Sequence, residues 1–157
     1  GFPNVGKSAL INRLLRKKVV KSARRAGITR SLNWIRIGNA LDLLDTPGVL
    51  PPRLEDQKSA LLLALCDDIG QASYDVELVT IAFLQILNGL KDIKGTGVTH
   101  NILSRRYGIE LSKENDIHEW LISVSKKHAS GDKRRMSQKI LDDFRRSELG
   151  DITLQIP

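Results

Sequence analysis

The chain has 157 residues, 41% apolar but only 4% aromatic, so its core must rest on Leu, Ile and Val. No stretch approaches the roughly 20 uncharged apolar residues of a membrane span, and the single cysteine, Cys66, excludes an internal disulfide and suits a reducing compartment. The net charge of +7 is uneven: residues 1–36 hold ten Lys/Arg and no acid, residues 42–92 hold nine acids against three bases, and Lys126-Lys127 and Lys133-Arg134-Arg135 turn basic again.

A basic balance favours polyanionic partners, with plain solubility as the bland alternative. Cys66 reads as a buried small hydrophobe. A Gly-Pro-Gly loop stands where a signal peptide would carry its apolar run, so no leader is expected at the N-terminus.

Residues 1–8, Gly-Phe-Pro-Asn-Val-Gly-Lys-Ser, fit the phosphate-loop pattern Gly-x4-Gly-Lys-Ser/Thr. In such a loop glycine permits a tight turn and successive amides point inward at phosphate oxygens. Lys7 would reach the outer phosphates and the Ser8 hydroxyl would ligand magnesium. A glycine-rich helix start is the structural alternative.

Residues 9–16 follow as a helix whose apolar contributors are Ala9, Leu10, Leu14 and Leu15. Residues 17–28 form a basic connection. Residues 32–37 read as a strand, Gly38-Asn39 as a turn and residues 41–45 as a second strand, together a hairpin. Residues 46–52 are a proline-marked loop.

From about Glu55 the pattern becomes helical. Residues 57–66 are Ala/Leu-rich, and Val76, Val79, Phe83, Leu87 and Leu90 keep helical spacing. Lys94 to Gly97 breaks the pattern. Asp116 caps a helix bearing Ile117, Trp120, Leu121 and Val124, with Glu119 placed as in a capping box. After a break at Ser130-Gly131-Asp132, Met136, Ile140, Leu141 and Phe144 make one face of a last helix, and residues 152–156 alternate like a short strand. Trp34 and Trp120 are read as core, Trp34 with some exposure.

The second chemical motif is Asp45-Thr46-Pro47-Gly48, after the apolar strand. An Asp there can hold magnesium through water, and the Gly48 amide can meet a γ-phosphate. Thr29, in Gly27-Ile28-Thr29-Arg30-Ser31, would complete the magnesium shell only with a triphosphate bound, the logic of a switch segment. Order and rough spacing are those of a GTPase. The guanine-reading Asn/Thr-Lys-x-Asp segment is missing downstream: Lys113-Glu114-Asn115-Asp116 has the wrong order and Asn88 to Asp92 the wrong spacing. His118-Glu119 begins like a zinc-protease helix but lacks the second histidine, and Asp67-Asp68 reads as helix-surface charge.

Residues 1–12, 22–29 and 41–57 resemble the circularly permuted ribosome-assembly GTPases of the YlqF/RbgA type. Ile140 to Arg146 and Leu149 to Leu154 are similar to that family's C-terminal signature, and Arg105-Arg106-Tyr107-Gly108 to a mid-domain segment. The resemblance implies an α/β fold: a partial, Rossmann-like P-loop GTPase domain over residues 1–66, then a mostly helical RNA- and ribosome-binding domain over 67–157. It places the base-reading motifs before the phosphate loop, so the chain is expected to be the C-terminal portion of a longer protein.

By the same resemblance Asn4, Val5, Gly6, Lys7, Ser8 and Ala9 wrap the phosphates of GTP. Ser8 and Thr29 ligand magnesium, Asp45 supports it, and Gly48 senses the γ-phosphate. Asn4 matches an asparagine that helps hold potassium in related enzymes. No catalytic residue is identified in the chain: Val49 stands where Ras-like enzymes keep a water-orienting glutamine, and an apolar side chain cannot do that work. The family fills the role with an upstream histidine, helped by the ribosome. Ala26 departs from the proline common in relatives, which loosens the switch connection slightly.

The implied partners are a large ribosomal subunit precursor and its rRNA, with no membrane and the protein a monomer. The implied setting is a bacterial-type cytoplasm, with plastid or mitochondrion as alternatives. Arg135, Lys139 and Arg146 fall on one stripe of the last helix and are the candidate RNA contacts, although Asp142 shares the stripe. Two rival readings stand beside the enzyme: a catalytically incompetent RNA- or pre-ribosome-binding module, and an unrelated P-loop ATPase or kinase.

Overall fold

The computed structural model describes residues 5–16, 20, 31–37, 41–49, 56–111 and 116–154. The chain divides into two compact units, residues 1–73 and 74–157.

In the first unit, helix α1 spans Lys7–Leu14, strands β1 and β2 span Asn33–Ile37 and Leu41–Asp45, and helix α2 spans Gln57–Leu65, followed by a short 3-10 turn at Gln71–Ser73. The strands pair antiparallel in the register Asn33↔Asp45 to Ile37↔Leu41. The hairpin is therefore as the alternation predicts, with its expected turn at Gly38-Asn39 lying outside the described residues. Alternation along β1 sends Ile35 inward, where it packs with Ile11 of α1, Val20, Leu15 and Leu43. Full burial of each aliphatic side chain is worth about 1.5–3 kcal/mol, so this small cluster fixes α1 against β2 and with it the distance from the phosphate loop to Asp45.

Three expectations are corrected here. The buried face of α1 is Ile11 and Leu15, four residues apart, while Leu10 and Leu14 are largely exposed. Trp34 is 72% exposed, because the pleat that buries Ile35 points both its neighbours outward. Cys66 is exposed: it is the C-cap of α2, where Ala64 and Leu65 have already taken the buried face and Asp67 turns the chain at a φ of 62°.

Helix α2 starts where Asp56 accepts from the amides of Lys58 and Ser59 at 3.0 and 2.9 Å.

The second unit is helical: α3 Val76–Leu90, α4 Ile102–Tyr107, α5 Ile117–His128 and α6 Lys133–Arg145. Asp75, Asp116 and Asp132 each cap the following helix through their carboxylates. Val76, Val79, Phe83 and Leu87 bury the α3 face as their spacing predicts, while Leu84 joins them unpredicted and Leu90 is only half-buried; Trp120 and Val124 of α5 and Met136, Ile140 and Leu141 of α6 complete the core.

Within that core sits a polar knot. Asp143 of α6 accepts from Arg106 Nε and Nη2 of α4 at 2.9 and 2.8 Å, and from the Tyr107 hydroxyl at 2.9 Å. Burial opposes the charged form of Asp143, but the Arg106 and Tyr107 hydrogen bonds outweigh it and hold its carboxyl below the usual range.

The expected terminal strand is absent over residues 151–154, where Thr153 N donates to Thr96 O at 2.8 Å and ties the segment to the core; residues 155–157 lie outside the described set. Gly97 makes this approach possible, since a Cβ there would sit 1.8 Å from the Asp151 carbonyl oxygen.

Candidate nucleotide-binding site

Gly6 is the N-cap of α1, with φ 89° and ψ 14°, a left-handed conformation that glycine adopts without strain. It brings no capping side chain, and no acid occupies the first turn. The first helical ladder bond is Leu10 N to Gly6 O at 2.8 Å. The amides of Lys7, Ser8 and Ala9 therefore lie ahead of the ladder at the positive end of the helix dipole, the arrangement that favours an anion.

β2 delivers the second half of the site. Asp45, its last residue, is 1% exposed, and its Oδ2 accepts a hydrogen bond from Ser8 Oγ at 3.0 Å. The other carboxylate oxygen, Oδ1, is buried with no hydrogen-bond partner among the described residues. An unsatisfied carboxylate oxygen is costly to bury. A hydroxyl and a carboxylate meeting at one point, with an oxygen left over, make a hard-oxygen donor set that fits magnesium.

Thr46, Pro47 and Gly48 follow, half-buried, and Val49 turns out to solvent at 69% exposure. Val5 and Ala9 are exposed at the loop mouth. Of the sequence-predicted residues, the structure brings Gly6, Ser8 and Asp45 together, with Lys7 next to both Gly6 and Ser8 in the chain. Asn4 and Thr29 lie outside the described residues.

Asp67-Asp68 differs from its sequence reading. Asp68 is half-buried past the end of α2; burial and then Asp67 raise its carboxyl pKa, while the charge of Lys7 pulls it back, so an acid lies within the field of the loop lysine. Arg135, Lys139 and Arg146 are all exposed on or just after α6, and Asp142 beside them is occupied by Gln138 and Arg145.

One residue escaped the sequence reading altogether. Asn12 of α1 bonds both backbone groups of Val20, and its only sequence signal is a polar, helix-poor residue inside a helix.

Together these features are those of part of a phosphate-loop nucleotide-binding domain followed by a helical unit. Residues 1–95 match the family described as 50S ribosome-binding GTPase, and the chain belongs to that family.

The chain is similar to ribosome biogenesis GTPase A of Priestia megaterium, 32% identical over 163 residues, which cover 100% of this chain and 54% of that protein. It is 45% identical to the Bacillus pumilus protein of the same name over 87 residues, 55% of this chain and 31% of that one. Nucleolar GTP-binding protein 2 of Schizosaccharomyces pombe is 32% identical over 155 residues, 95% of this chain and 26% of that protein. The chain thus spans about half, or less, of the length of the curated relatives it matches.

A solved structure described as the GDP-bound form of TM YlqF superposes with a TM-score of 0.60 at 21% identity, over 100% of this chain and 58% of that one; it shares the fold.

Proposed function

We propose that the intact protein binds and hydrolyses GTP as an assembly factor for the large ribosomal subunit, and that this chain carries its phosphate-and-switch half and an RNA-facing helical unit. The observation that carries the reading is the Ser8–Asp45 contact at the start of α1, with Asp45 Oδ1 buried and unpartnered among the described residues.

In this reading the amides from Val5 to Ala9 hold phosphate oxygens and Lys7 neutralises the outer phosphates. Ser8, Asp45 and Thr29 hold magnesium, whose chemistry is to neutralise charge on the phosphates, and Asn4 holds potassium. Gly48 meets the γ-phosphate. Binding orders residues 17–31 and 46–56, and hydrolysis releases them. Val49 cannot orient water, so that group lies elsewhere in the intact protein.

The exposed stripe of Arg135, Lys139 and Arg146 would add phosphate contacts to rRNA, which position without reading sequence. The protein acts as a monomer in a bacterial-type cytoplasm.

The test is the GTPase rate of the full-length protein in potassium, with and without large subunits; a rate that subunits leave unchanged sinks the assembly-factor reading.

A second reading is a binding module without hydrolysis, favoured by the lack of an Asn/Thr-Lys-x-Asp segment downstream of Asp45. Titration of the chain as given with fluorescent GTP separates the two contributions. Weak or base-indifferent binding is expected, and sub-micromolar, guanine-selective binding contradicts it.

A further inference from the structure

The tightest clustering of positive charge in the described second unit is at one corner, not along the α6 stripe. Residues 126–135 hold five Lys/Arg against one Asp. The turn of residues 129–132 is closed by Gly131 N to Ser125 O at 2.9 Å and Asp132 N to Ala129 O at 3.0 Å. It sets the end of α5, with Lys126 and Lys127, beside the start of α6, with Lys133, Arg134 and Arg135.

The end of α4 joins the same corner. His128 Nε2 bonds the Tyr107 carbonyl oxygen at 2.8 Å, and Lys127 Nζ donates to the Gly108 carbonyl oxygen at 3.3 Å. Arg105, in the last turn of α4, is thereby added to the group. All six of these cations are exposed.

Folding accounts for only part of this arrangement. Cations suit the last turns of α4 and α5, where they complement the helix dipole. They oppose it in the first turn of α6, which carries Lys133, Arg134 and Arg135 and no acid. The nearest compensations are the Asp132 cap, which accepts from the Arg135 amide at 2.9 Å, and Glu77, whose carboxylate lies 3.8 Å from Lys133 Nζ. Charge held against the local electrostatics of its own helix, next to three further exposed cations from two other helix ends, is what a polyanion-binding surface requires.

We propose that this α4–α5–α6 corner is a grip for the phosphate backbone of double-stranded RNA. The surface offers point charges and little to stack on: Tyr107 and Trp120 are buried, and the exposed His128 ring is held edge-on to Tyr107 by its bond to the Tyr107 carbonyl oxygen. It therefore grips a duplex backbone without stacking on unpaired bases, and it reads no sequence. The proposal rests on the RNA-facing role given to this unit above, and it moves the main contact from the α6 stripe to the corner.

The test titrates the chain, without nucleotide, against an RNA duplex of about 20 base pairs over a range of salt concentrations. The triple variant Lys126→Gln, Lys133→Gln, Arg134→Gln is compared with the stripe variant Lys139→Gln, Arg146→Gln, with Arg135, common to both faces, kept in each. Removing one phosphate contact lowers the slope of log affinity against log salt by about 0.7–0.9, so the triple variant loses about two units of slope and about tenfold or more in affinity. The stripe variant loses less.

Melting of the triple variant stays level or rises, because two cations leave the α6 first turn; this separates impaired binding from impaired folding. Equal affinity and slope for parent and triple variant overturns the proposal. So does a triple variant that keeps RNA but loses a polyglutamate peptide, which would make the corner an acidic-protein dock. Absence of subunit-stimulated hydrolysis, with the slope change intact, refutes the assembly-factor reading and leaves the grip standing.

Discussion

Asn12 holds Val20 by both ends of its side-chain amide: Nδ2 donates to the Val20 carbonyl oxygen at 2.9 Å, and the Val20 amide donates to Oδ1 at 3.0 Å. Val20 is itself buried against Ile11 and Ile35. A residue early in the basic connection is thus pinned to the phosphate-loop helix.

Asn12→Ala removes both bonds and leaves a backbone donor and acceptor of Val20 to be resatisfied. The expected cost is about 1–2 kcal/mol, read by denaturant unfolding. Asn12→Asp keeps the acceptor and loses the donor, so it should fall between the two. A variant as stable as the parent would show that the clamp contributes nothing.

Trp34 and Trp120 should report opposite surroundings. Trp34 stands outward on β1, whereas Trp120 is buried and donates through Nε1 to the Ile109 carbonyl oxygen at 3.0 Å. In the chain as given, Trp34→Phe should remove the red-shifted, iodide-quenchable part of the fluorescence, and leave a blue-shifted, protected remainder. Its stability should change by about 0.5 kcal/mol or less. Loss of the protected emission instead would contradict the strand's facing.

Asp143 ties α4 to α6, and its removal should be felt throughout the second unit. Asp143→Asn leaves Arg106 and Tyr107 with a poorer acceptor and should cost about 2–3 kcal/mol at pH 7. The pH dependence has a definite sign. A carboxyl held below its unfolded value stabilises the fold fully above about pH 4, and the stabilisation is lost as pH falls through the folded value. The gap between parent and variant should therefore hold steady from pH 7 to about 4 and narrow below it. A gap that widens in acid would contradict this.

The sequence was most legible where local chemistry decides structure. The hairpin followed from β-rich runs around Gly38-Asn39, and α5 from Asp116 ahead of a helical apolar pattern. Those signals are contained in a few adjacent residues.

It failed where the outcome depends on a distant partner. Leu10, Ile11 and Leu14 are equally apolar, and only the position of β1 selects Ile11 for burial. Trp34 is large and apolar, yet the same pleat that buries Ile35 turns it outward. Cys66 looked like core until the helix ended beneath it. Arg106, Tyr107 and Asp143 were each visible, but a bond across 37 positions leaves no local trace.

For the candidate site, the motifs placed Gly6, Ser8 and Asp45 by type, and the contact between the last two is what the tertiary structure adds. The role of Asn4 rests on the resemblance alone, and that of Thr29 on its place between the two motifs; both lie outside the described residues.

The central claim is that Ser8 and Asp45 form the metal-holding half of a guanine-nucleotide site. It is tested most directly by nucleotide affinity of the full-length protein with magnesium and with chelator, for the parent and Asp45→Asn. The account predicts that magnesium tightens GTP binding to the parent, and that Asp45→Asn loses about 10-fold or more of that gain while its affinity in chelator stays close to the parent's. An equal magnesium effect in parent and variant would contradict it.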